Sequence, residues 1–304
     1  MAKVEIGNLY YFFYIAIGVI LTLLAIRYLN KKSESYRYWF IFFLIMLGFT
    51  IHFVKILIPP YYLVDPVWTK VTFENICATS ALLFPFLYFV KNQTLKDYMV
   101  MVGVASGIIT FVFPVDVMTE YFSGMILSES EIIRYKSAFS LETIRFYLSH
   151  YLIFLAPFLM LHYKFHELSF KRAYRAPLML FSIFIIIFIN ELIVTALGWV
   201  PREELYDPQR RNPSFIFGVR GDLTGLGALI GIFVPWFFRS NPTGSGLFPV
   251  LWLLGPTLVY GGMIALLFMV IYDREETFKF FRRVLRLSPK FEENKEPYHI
   301  KNRK

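Results

Sequence analysis

The chain has 304 residues, of which 57% are hydrophobic, 19% are aromatic and only 17% are charged. Its mean hydropathy of +0.53 is far above the soluble average. A soluble domain of this size could not bury 34 Phe and 20 Tyr together with its aliphatic residues, so the composition excludes a soluble enzyme. The single cysteine, Cys77, excludes a disulfide scaffold. We attribute the net charge of +9 to cytoplasmic loops and anionic lipid headgroups rather than to a nucleic acid partner.

Apolar segments that could cross a bilayer, which needs about 20 residues, recur along the whole chain. They cover residues 9–26, 39–58, 71–90, 99–115, 144–163, 177–200 and 247–272. A glycine-rich segment at 223–238 is shorter, and we interpret it as re-entrant or interfacial. The sequence therefore predicts an all-α polytopic membrane helical bundle of about seven transmembrane helices, with residues 1–272 forming a single transmembrane domain.

Basic residues are concentrated in the loops after the first, third and fifth apolar segments, and ten more follow residue 272. The positive-inside rule assigns these loops and the C-terminal tail to the cytoplasm. Seven crossings satisfy that assignment, whereas eight would place the tail on the opposite face. We therefore predict a multi-pass protein of the cell membrane with its N-terminus outside and its C-terminus in the cytoplasm.

The chain after the last apolar segment is predicted to form a basic amphipathic helix followed by a disordered tail, together spanning 273–304. Phe278, Phe281 and Leu285 share one face of this helix, which suits the inner leaflet. The polar residues 288–304 are predicted to be disordered.

Three shorter motifs predict local structure. Ser128 and Glu131 have the spacing of a capping box, which indicates a short interfacial helix. The GVASG motif at 103–107 and the GALIG motif at 227–231 place glycines four residues apart, a spacing that lets helices approach closely.

Polar side chains inside the apolar segments are candidate functional residues, because ionisable groups are costly in a bilayer. Counted from the predicted outer ends, His52, Cys77 and His150 all lie about 9 Å below the outer boundary. Other polar side chains are found in the same segments, namely Lys55, Glu74, Asn75, Arg145, Asn190 and Glu191. We therefore expect a polar cavity that opens to the outer leaflet.

A cysteine with a histidine in reach is sufficient for covalent acyl transfer. In this hypothesis His150 takes the proton of the Cys77 thiol, and the thiolate attacks a carbonyl to form a thioester. Asn75, Arg145 or backbone amides would stabilise the oxyanion. No metal or other cofactor is needed, and His52, Cys77 and His150 form no HxxxH or CxxC motif that would favour zinc.

The remaining polar residues are candidate contacts for a lipid substrate. Lys55 and Arg145 suit a phosphate near the headgroup level, and His52 would support His150 or bind the same phosphate. Membrane lipids, and a phospholipid or lysophospholipid substrate, are therefore the predicted partners.

Other interpretations of the same residues stay open. A lone cysteine packs as a small apolar residue, a membrane histidine forms a hydrogen bond, and long cationic side chains reach out to the headgroups. Glu191 and Asn190 would bond to a neighbouring helix or line a path for an ion or a small solute. A transporter or channel, and a non-catalytic membrane scaffold, are the alternative functions.

Three segments resemble a known family of YwaF-like bacterial membrane proteins. They are ENICATSALLFPFLYF with its Cys, RFYLSHYLIFLAPFLML with its His and following Pro, and LLGPTLVYGGMIALLFMVIY with its Gly-Pro. That family is similar to eukaryotic transmembrane acyltransferases that move a fatty acyl chain from a phospholipid to a lyso-ether-phospholipid. The resemblance implies that Cys77 accepts the acyl group and that His150 is its base. The chain departs from the family in carrying extra residues between 201 and 246.

Overall fold

The computed structural model describes residues 3–122, 125–208, 210, 214–238 and 247–285. These residues are mostly helical, which confirms the predicted all-α bundle. The predicted disordered segment 288–304 lies outside the described residues.

The helices follow one another along the chain with few other elements between them. In chain order they are α1 (Leu9–Leu29), α2 (Glu34–Val54), α3 (Ile76–Phe89), α4 (Gln93–Val112), α5 (Val115–Met118), α6 (Glu129–Tyr135), α7 (Leu141–His162), α8 (Arg175–Ala196), α9 (Thr224–Gly231), α10 (Leu254–Tyr272) and α11 (Arg274–Val284). Two short antiparallel strands, β1 (Tyr121–Phe122) and β2 (Met125–Ile126), lie between α5 and α6. Among the described helices, α1, α2, α4, α7, α8 and α10 are long and apolar enough to cross a membrane.

Helix α3 is apolar but has only 14 residues. At 1.5 Å per residue it extends about 21 Å, less than the hydrocarbon core of about 30 Å. It begins at Ile76, later than the predicted residue 71, because the side chain of Asn75 accepts a hydrogen bond from the Ala78 N–H and caps the helix. The preceding residues form a 3-10 helix at Val67–Val71 instead. The glycine-rich α9 has eight residues, in line with the prediction that 223–238 does not cross.

Other helix boundaries also differ from the hydropathy prediction: α2 begins at Glu34 rather than at residue 39, and the largest shifts are at the starts of α4 and α10. Helix α4 begins at Gln93 rather than at residue 99, because Asn92 caps the N–H groups of Thr94 and Leu95. Most of the predicted basic loop after the third apolar segment, KNQTLKDY at 91–98, therefore forms the first turns of α4. Helix α10 begins at Leu254 rather than at residue 247, after a 3-10 turn at Leu251–Leu253.

Glycines bring α4 against α7 in the centre of the bundle. A Cβ atom at Gly103 would lie 2.7 Å from Pro157 Cγ, and one at Gly107 would collide with Phe154 Cβ. The prediction for GVASG is therefore confirmed. The prediction for GALIG is wrong at Gly231, where a Cβ would meet no described atom within 4 Å.

The chain direction alternates through α1, α2, α3, α4, α7, α8 and α10. Tyr11 Oη donates to the carbonyl of Val112 over 3.0 Å, joining the start of α1 to the end of α4. At the other end of α1, Tyr163 Oη donates to the carbonyl of Ile26 over 3.1 Å, where α7 ends. We call the first end of the bundle the cavity end and the second the tail end, because α11 begins there.

The two predicted flanking helices are also present. Helix α6 follows Ser128, whose backbone N–H donates to Glu131 Oε2 over 2.8 Å as in a capping box. Helix α11 covers much of the predicted basic amphipathic segment, with Phe278 and Leu285 exposed.

Candidate functional site

A cavity of about 500 Å³ lies at the cavity end, between α2, α3, α4, α7 and α8. Eight of the nine predicted site residues line it: His52, Lys55, Glu74, Asn75, Cys77, Arg145, His150 and Glu191. The ninth, Asn190, does not line the cavity. Its side-chain amide donates to Thr72 Oγ1 over 3.1 Å and so attaches α8 to the segment before α3.

The cavity reaches only about halfway through the bundle. Its deepest described lining residues include Gly48, Ser106 and Ile153, near the middle of α2, α4 and α7. Beyond them, buried side chains such as Ala156 and Leu159 fill the core. In the described part of the chain the cavity is therefore closed at its deep end.

Cys77 is the second residue of α3, among the first N–H groups of a helix, which have no partner within it. The Ile76 N–H donates to Ser214 Oγ over 2.9 Å, and the Ala78 N–H donates to Asn75 Oδ1 over 2.8 Å. The Cys77 N–H between them has no hydrogen-bond partner among the described residues. A free thiol and an available N–H thus belong to the same residue at the cavity wall.

The hydrogen bond of the His150 ring fixes its tautomer. His150 Nδ1 lies 2.7 Å from the carbonyl oxygen of Phe146, one helical turn earlier on α7. A carbonyl oxygen only accepts, so Nδ1 carries the proton and Nε2 of the neutral ring is an acceptor. No hydrogen bond joins the Cys77 thiol to His150 within the described ranges.

A buried cluster of three charges lines the cavity beside Cys77. Glu74 accepts from Lys55 Nζ over 2.6 Å and from Lys70 Nζ over 3.0 Å. Burial alone would raise the pKa of Glu74, but the charges of Lys55 and Lys70 lower it from 4.5 to about 2. One carboxylate therefore faces two ammonium groups, and the cluster carries a net charge of +1.

A second network holds Arg145 in place. Its guanidinium makes two hydrogen bonds of 2.6 Å to the Glu142 carboxylate and one of 2.9 Å to Tyr61 Oη. Burial raises the pKa of Tyr61 well above its ordinary value, so its hydroxyl stays protonated and donates to Glu142 over 3.2 Å. The Tyr61 ring also lies 5.3 Å from Lys55 Nζ, which links the two networks.

Sequence reasoning missed Tyr61, Lys70 and Glu142, which lie outside the predicted apolar segments. The spacing of Glu142 from Arg145 was an available signal, since residues three apart share a helix face. Lys70 and Glu74 are four residues apart but do not lie on one helix, so their pair was not predictable in this way. Ser214 and Arg220 also line the cavity, from the region of extra residues that sequence reasoning left unassigned.

Two further features concern possible metal ligands and the ring of His52. Within the described residues, no three His, Cys, Asp or Glu side chains are grouped to hold a metal ion. His52 Nε2 is buried and has no hydrogen-bond partner in the same part of the chain.

The family model of the TMEM164 family matches residues 5–206, more than half of the chain. All nine predicted site residues lie in that range, whereas Ser214 and Arg220 lie beyond it. No curated protein and no solved structure shows significant similarity to the chain. The resemblance to YwaF-like bacterial proteins stays a prediction. With its apolar helices and this match, the chain belongs to the TMEM164 family, a eukaryotic family of multi-pass membrane proteins.

Proposed function

We propose that the protein is a lipid acyltransferase that holds the acyl group as a thioester on Cys77, with His150 as general base. The observation that carries the proposal is the hydrogen bond from His150 Nδ1 to Phe146, which leaves Nε2 as a proton acceptor in the cavity that Cys77 lines. The substrate would be a phospholipid or lysophospholipid that enters from the surrounding leaflet.

The reaction has two half-reactions with the same base. First, His150 Nε2 takes the thiol proton while Cys77 Sγ attacks the ester carbonyl carbon of a phospholipid. The ester C–O bond breaks, and the leaving lysophospholipid oxygen receives the proton from His150. Next, His150 takes the proton of an acceptor hydroxyl, whose oxygen attacks the thioester. The acylated acceptor leaves, and the proton returns to the Cys77 sulfur.

The tetrahedral intermediate needs hydrogen-bond donors for its oxyanion. The Cys77 N–H is suited to this role because it lies at a helix N-terminus and has no other partner among the described residues. Asn75 would act indirectly, since its side chain caps α3 and so fixes the direction of that N–H.

The charge of the cavity supports a phospholipid as substrate. A buried net positive charge is costly unless an anion joins it. The Lys55–Glu74–Lys70 cluster lacks one negative charge, and in the whole described lining five Lys or Arg residues face four Asp or Glu residues. A phosphodiester oxygen would supply that charge and accept charge-assisted hydrogen bonds. The unpartnered His52 Nε2 would bind the same headgroup.

The closed deep end of the cavity supports an enzyme over an open channel. A conducting path would need lining residues in both halves of the bundle, and the described lining lies at the cavity end. If transport were the function, Glu191→Gln would change the flux. If the protein were a scaffold, Cys77→Ser would leave its phenotype intact.

The proposal is tested by the intact mass of the full-length protein after incubation with diacyl phospholipids. We expect a hydroxylamine-labile acyl adduct that maps to Cys77, is absent in Cys77→Ala and is lost in His150→Ala. His162→Ala is the matched control, because His162 lies on the same helix at the tail end, and it should keep the adduct. The proposal fails if no lipid mixture gives an adduct and Cys77→Ala still complements a deletion strain.

We also propose that the N-terminus faces outside and the C-terminus faces the cytoplasm of a cell membrane. The basic residues of the loop between α7 and α8 and of α11 lie at the tail end, which supports this orientation. The cavity would then open to the outer leaflet.

A further inference from the structure

A second cavity, of about 650 Å³, lies at the tail end of the bundle. Its walls come from the turn between α7 and α8, from α10 and from α11. We call it the tail groove. Its volume is within the range of small-molecule sites, about 300–1,000 Å³. The acyl-transfer proposal makes no use of it.

One end of the tail groove is positively charged. Lys171, Lys279 and Arg283 line it, and the carboxylate in the lining, that of Glu276, binds Lys279 Nζ over 3.0 Å. Neither Lys171 nor Arg283 forms a salt bridge with another described residue. The groove therefore presents two uncompensated cations at its outer end.

The other end of the tail groove is apolar and lies farther along α10. It is lined by Gly262, Ala265 and Leu266 of α10. Gly262 comes ten residues before Tyr272, the last residue of α10, which corresponds to about 15 Å of helix. A Cβ atom at Gly262 would meet no described atom within 4 Å, so the space beside it is open.

The wall of the groove is held by contacts that fix α11 against the turn. The Phe170 N–H donates to Asp273 Oδ2 over 2.8 Å, at the start of α11. The Phe170 and Phe280 rings pack with their centroids 5.0 Å apart. The groove is therefore a preformed feature rather than a gap beside a loose helix.

We propose that the tail groove binds one anionic phospholipid. Its phosphate lies between Lys171 and Arg283, and one acyl chain follows α10 past Gly262. The charge at one end and the apolar depth at the other match the two parts of a phospholipid, whereas a soluble phosphate would use only the charged end. This lipid sits at the opposite end of the bundle from Cys77, so its binding does not depend on acyl transfer.

The test uses the full-length protein in detergent, with lipid binding followed by native mass spectrometry and by thermal unfolding. The probes are dioleoyl phosphatidylglycerol, dioleoyl phosphatidylcholine, glycerol phosphate and inorganic phosphate. We expect phosphatidylglycerol to give one more bound lipid than phosphatidylcholine, the additional one in the tail groove, and to raise the unfolding temperature more than any other probe does. The variant Lys171→Gln/Arg283→Gln should weaken its binding about 10- to 30-fold, as expected for two headgroup contacts.

Matched variants separate the groove from general charge and stability effects. Arg274→Gln/Arg282→Gln removes the same charge from α11 outside the groove, and it should bind phosphatidylglycerol like the unmodified protein. Gly262→Leu fills the acyl position and should abolish the additional phosphatidylglycerol binding, whereas Met263→Leu on the exposed face should not.

Three results would each overturn the proposal. If both double variants lost phosphatidylglycerol binding equally, the lipid would be attracted by the overall charge of this region and not by the groove. An equal thermal shift with inorganic phosphate would mean that the ligand is a free anion. Unchanged binding in Gly262→Leu would mean that no acyl chain occupies the groove.

Discussion

The carboxylate of Glu74 holds two buried ammonium groups, and its replacement should destabilise the protein. In Glu74→Gln, Lys55 and Lys70 would face each other without a counter-charge. Breaking a buried ion pair by removing one partner costs about 3–5 kcal/mol. We expect a loss of that order in thermal unfolding at neutral pH. Glu276→Gln, which breaks an exposed pair with Lys279, should change little and is the control.

The same carboxylate makes stability depend on pH in a defined window. The pKa of Glu74 is lowered from 4.5 to about 2 in the folded protein, so its contribution is complete above pH 4.5 and is lost as the pH falls toward 2. The difference in unfolding temperature between the unmodified protein and Glu74→Gln should therefore shrink through this window. A constant difference from pH 6 to pH 3 would contradict the assignment.

For single residues, the sequence predicted which side chains share a depth in the bundle better than it predicted their hydrogen-bond partners. Counting from the predicted outer ends grouped His52, Cys77 and His150, and all three line one cavity. Tyr61 and Glu142 were missed because the depth argument considers only apolar segments. The tautomer of His150 could not be predicted from the sequence either, because it depends on the side-chain rotamer that brings Nδ1 to the Phe146 carbonyl.

The contact of α4 with α7 sets the position of His150. A Cβ at Gly107 would collide with Phe154 Cβ and lie 3.2 Å from the His150 carbonyl oxygen. Gly107→Ala would force the two helices apart, and overpacking of this kind costs about 1–3 kcal/mol. We expect a lower unfolding temperature and, if acyl transfer is the function, a smaller acyl adduct.

Gly262→Ala is the matched control for that variant. It also replaces a glycine in a long apolar helix, but its Cβ would meet no described atom within 4 Å. In detergent without added lipid its unfolding temperature should be unchanged or higher, because alanine favours helix. Equal effects of the two substitutions would show that the α4–α7 contact is not the cause.

A buried ion pair ties α4 to the turn between α7 and α8. Asp97 Oδ1 lies 2.7 Å from His166 Nε2, and Asp97 Oδ2 lies 2.7 Å from Arg172 Nε. Asp97→Asn would remove the carboxylate that pairs with His166 and Arg172. Because the Arg172 side chain is 25% exposed, we expect a loss of about 1–3 kcal/mol in unfolding free energy. Lys279→Gln, in an exposed pair, should be nearly neutral. A neutral Asp97→Asn would mean that water replaces the carboxylate.

The existence of the helices was predictable from apolar length, but their boundaries were not. Hydropathy counts residues as inside or outside a segment, whereas a helix starts where a side chain can cap its free N–H groups. Asn75 shortens α3 and Asn92 lengthens α4 in this way. The shorter α3 matters for the site, because its N-terminus, with Cys77, lines the cavity.

The two ends of the molecule carry different functional groups. The alternating helices bring the polar cavity to one end and α11 to the other. The apolar pattern predicted this alternation. It could not predict that Ser214 and Arg220, beyond the family match at 5–206, complete the cavity wall, because their pairing with α3 and β1 is long-range.

The orientation of these ends in the membrane is the last prediction. The alternating helices place the start of α1 and the end of α10 at opposite ends of the bundle. With α3 as a seventh crossing beside the six longer helices, we expect the termini on opposite sides of the membrane and the basic tail end in the cytoplasm. A reporter that is active only in the cytoplasm should work when fused after Lys304 and fail when fused before Met1. A substituted cysteine at Ser130, in the cavity-end helix α6, should react with an impermeant thiol reagent from outside in a Cys77→Ala background. A reporter active at both termini would rule out seven crossings. Labelling of Ser130→Cys only after permeabilisation would place the cavity at the inner leaflet.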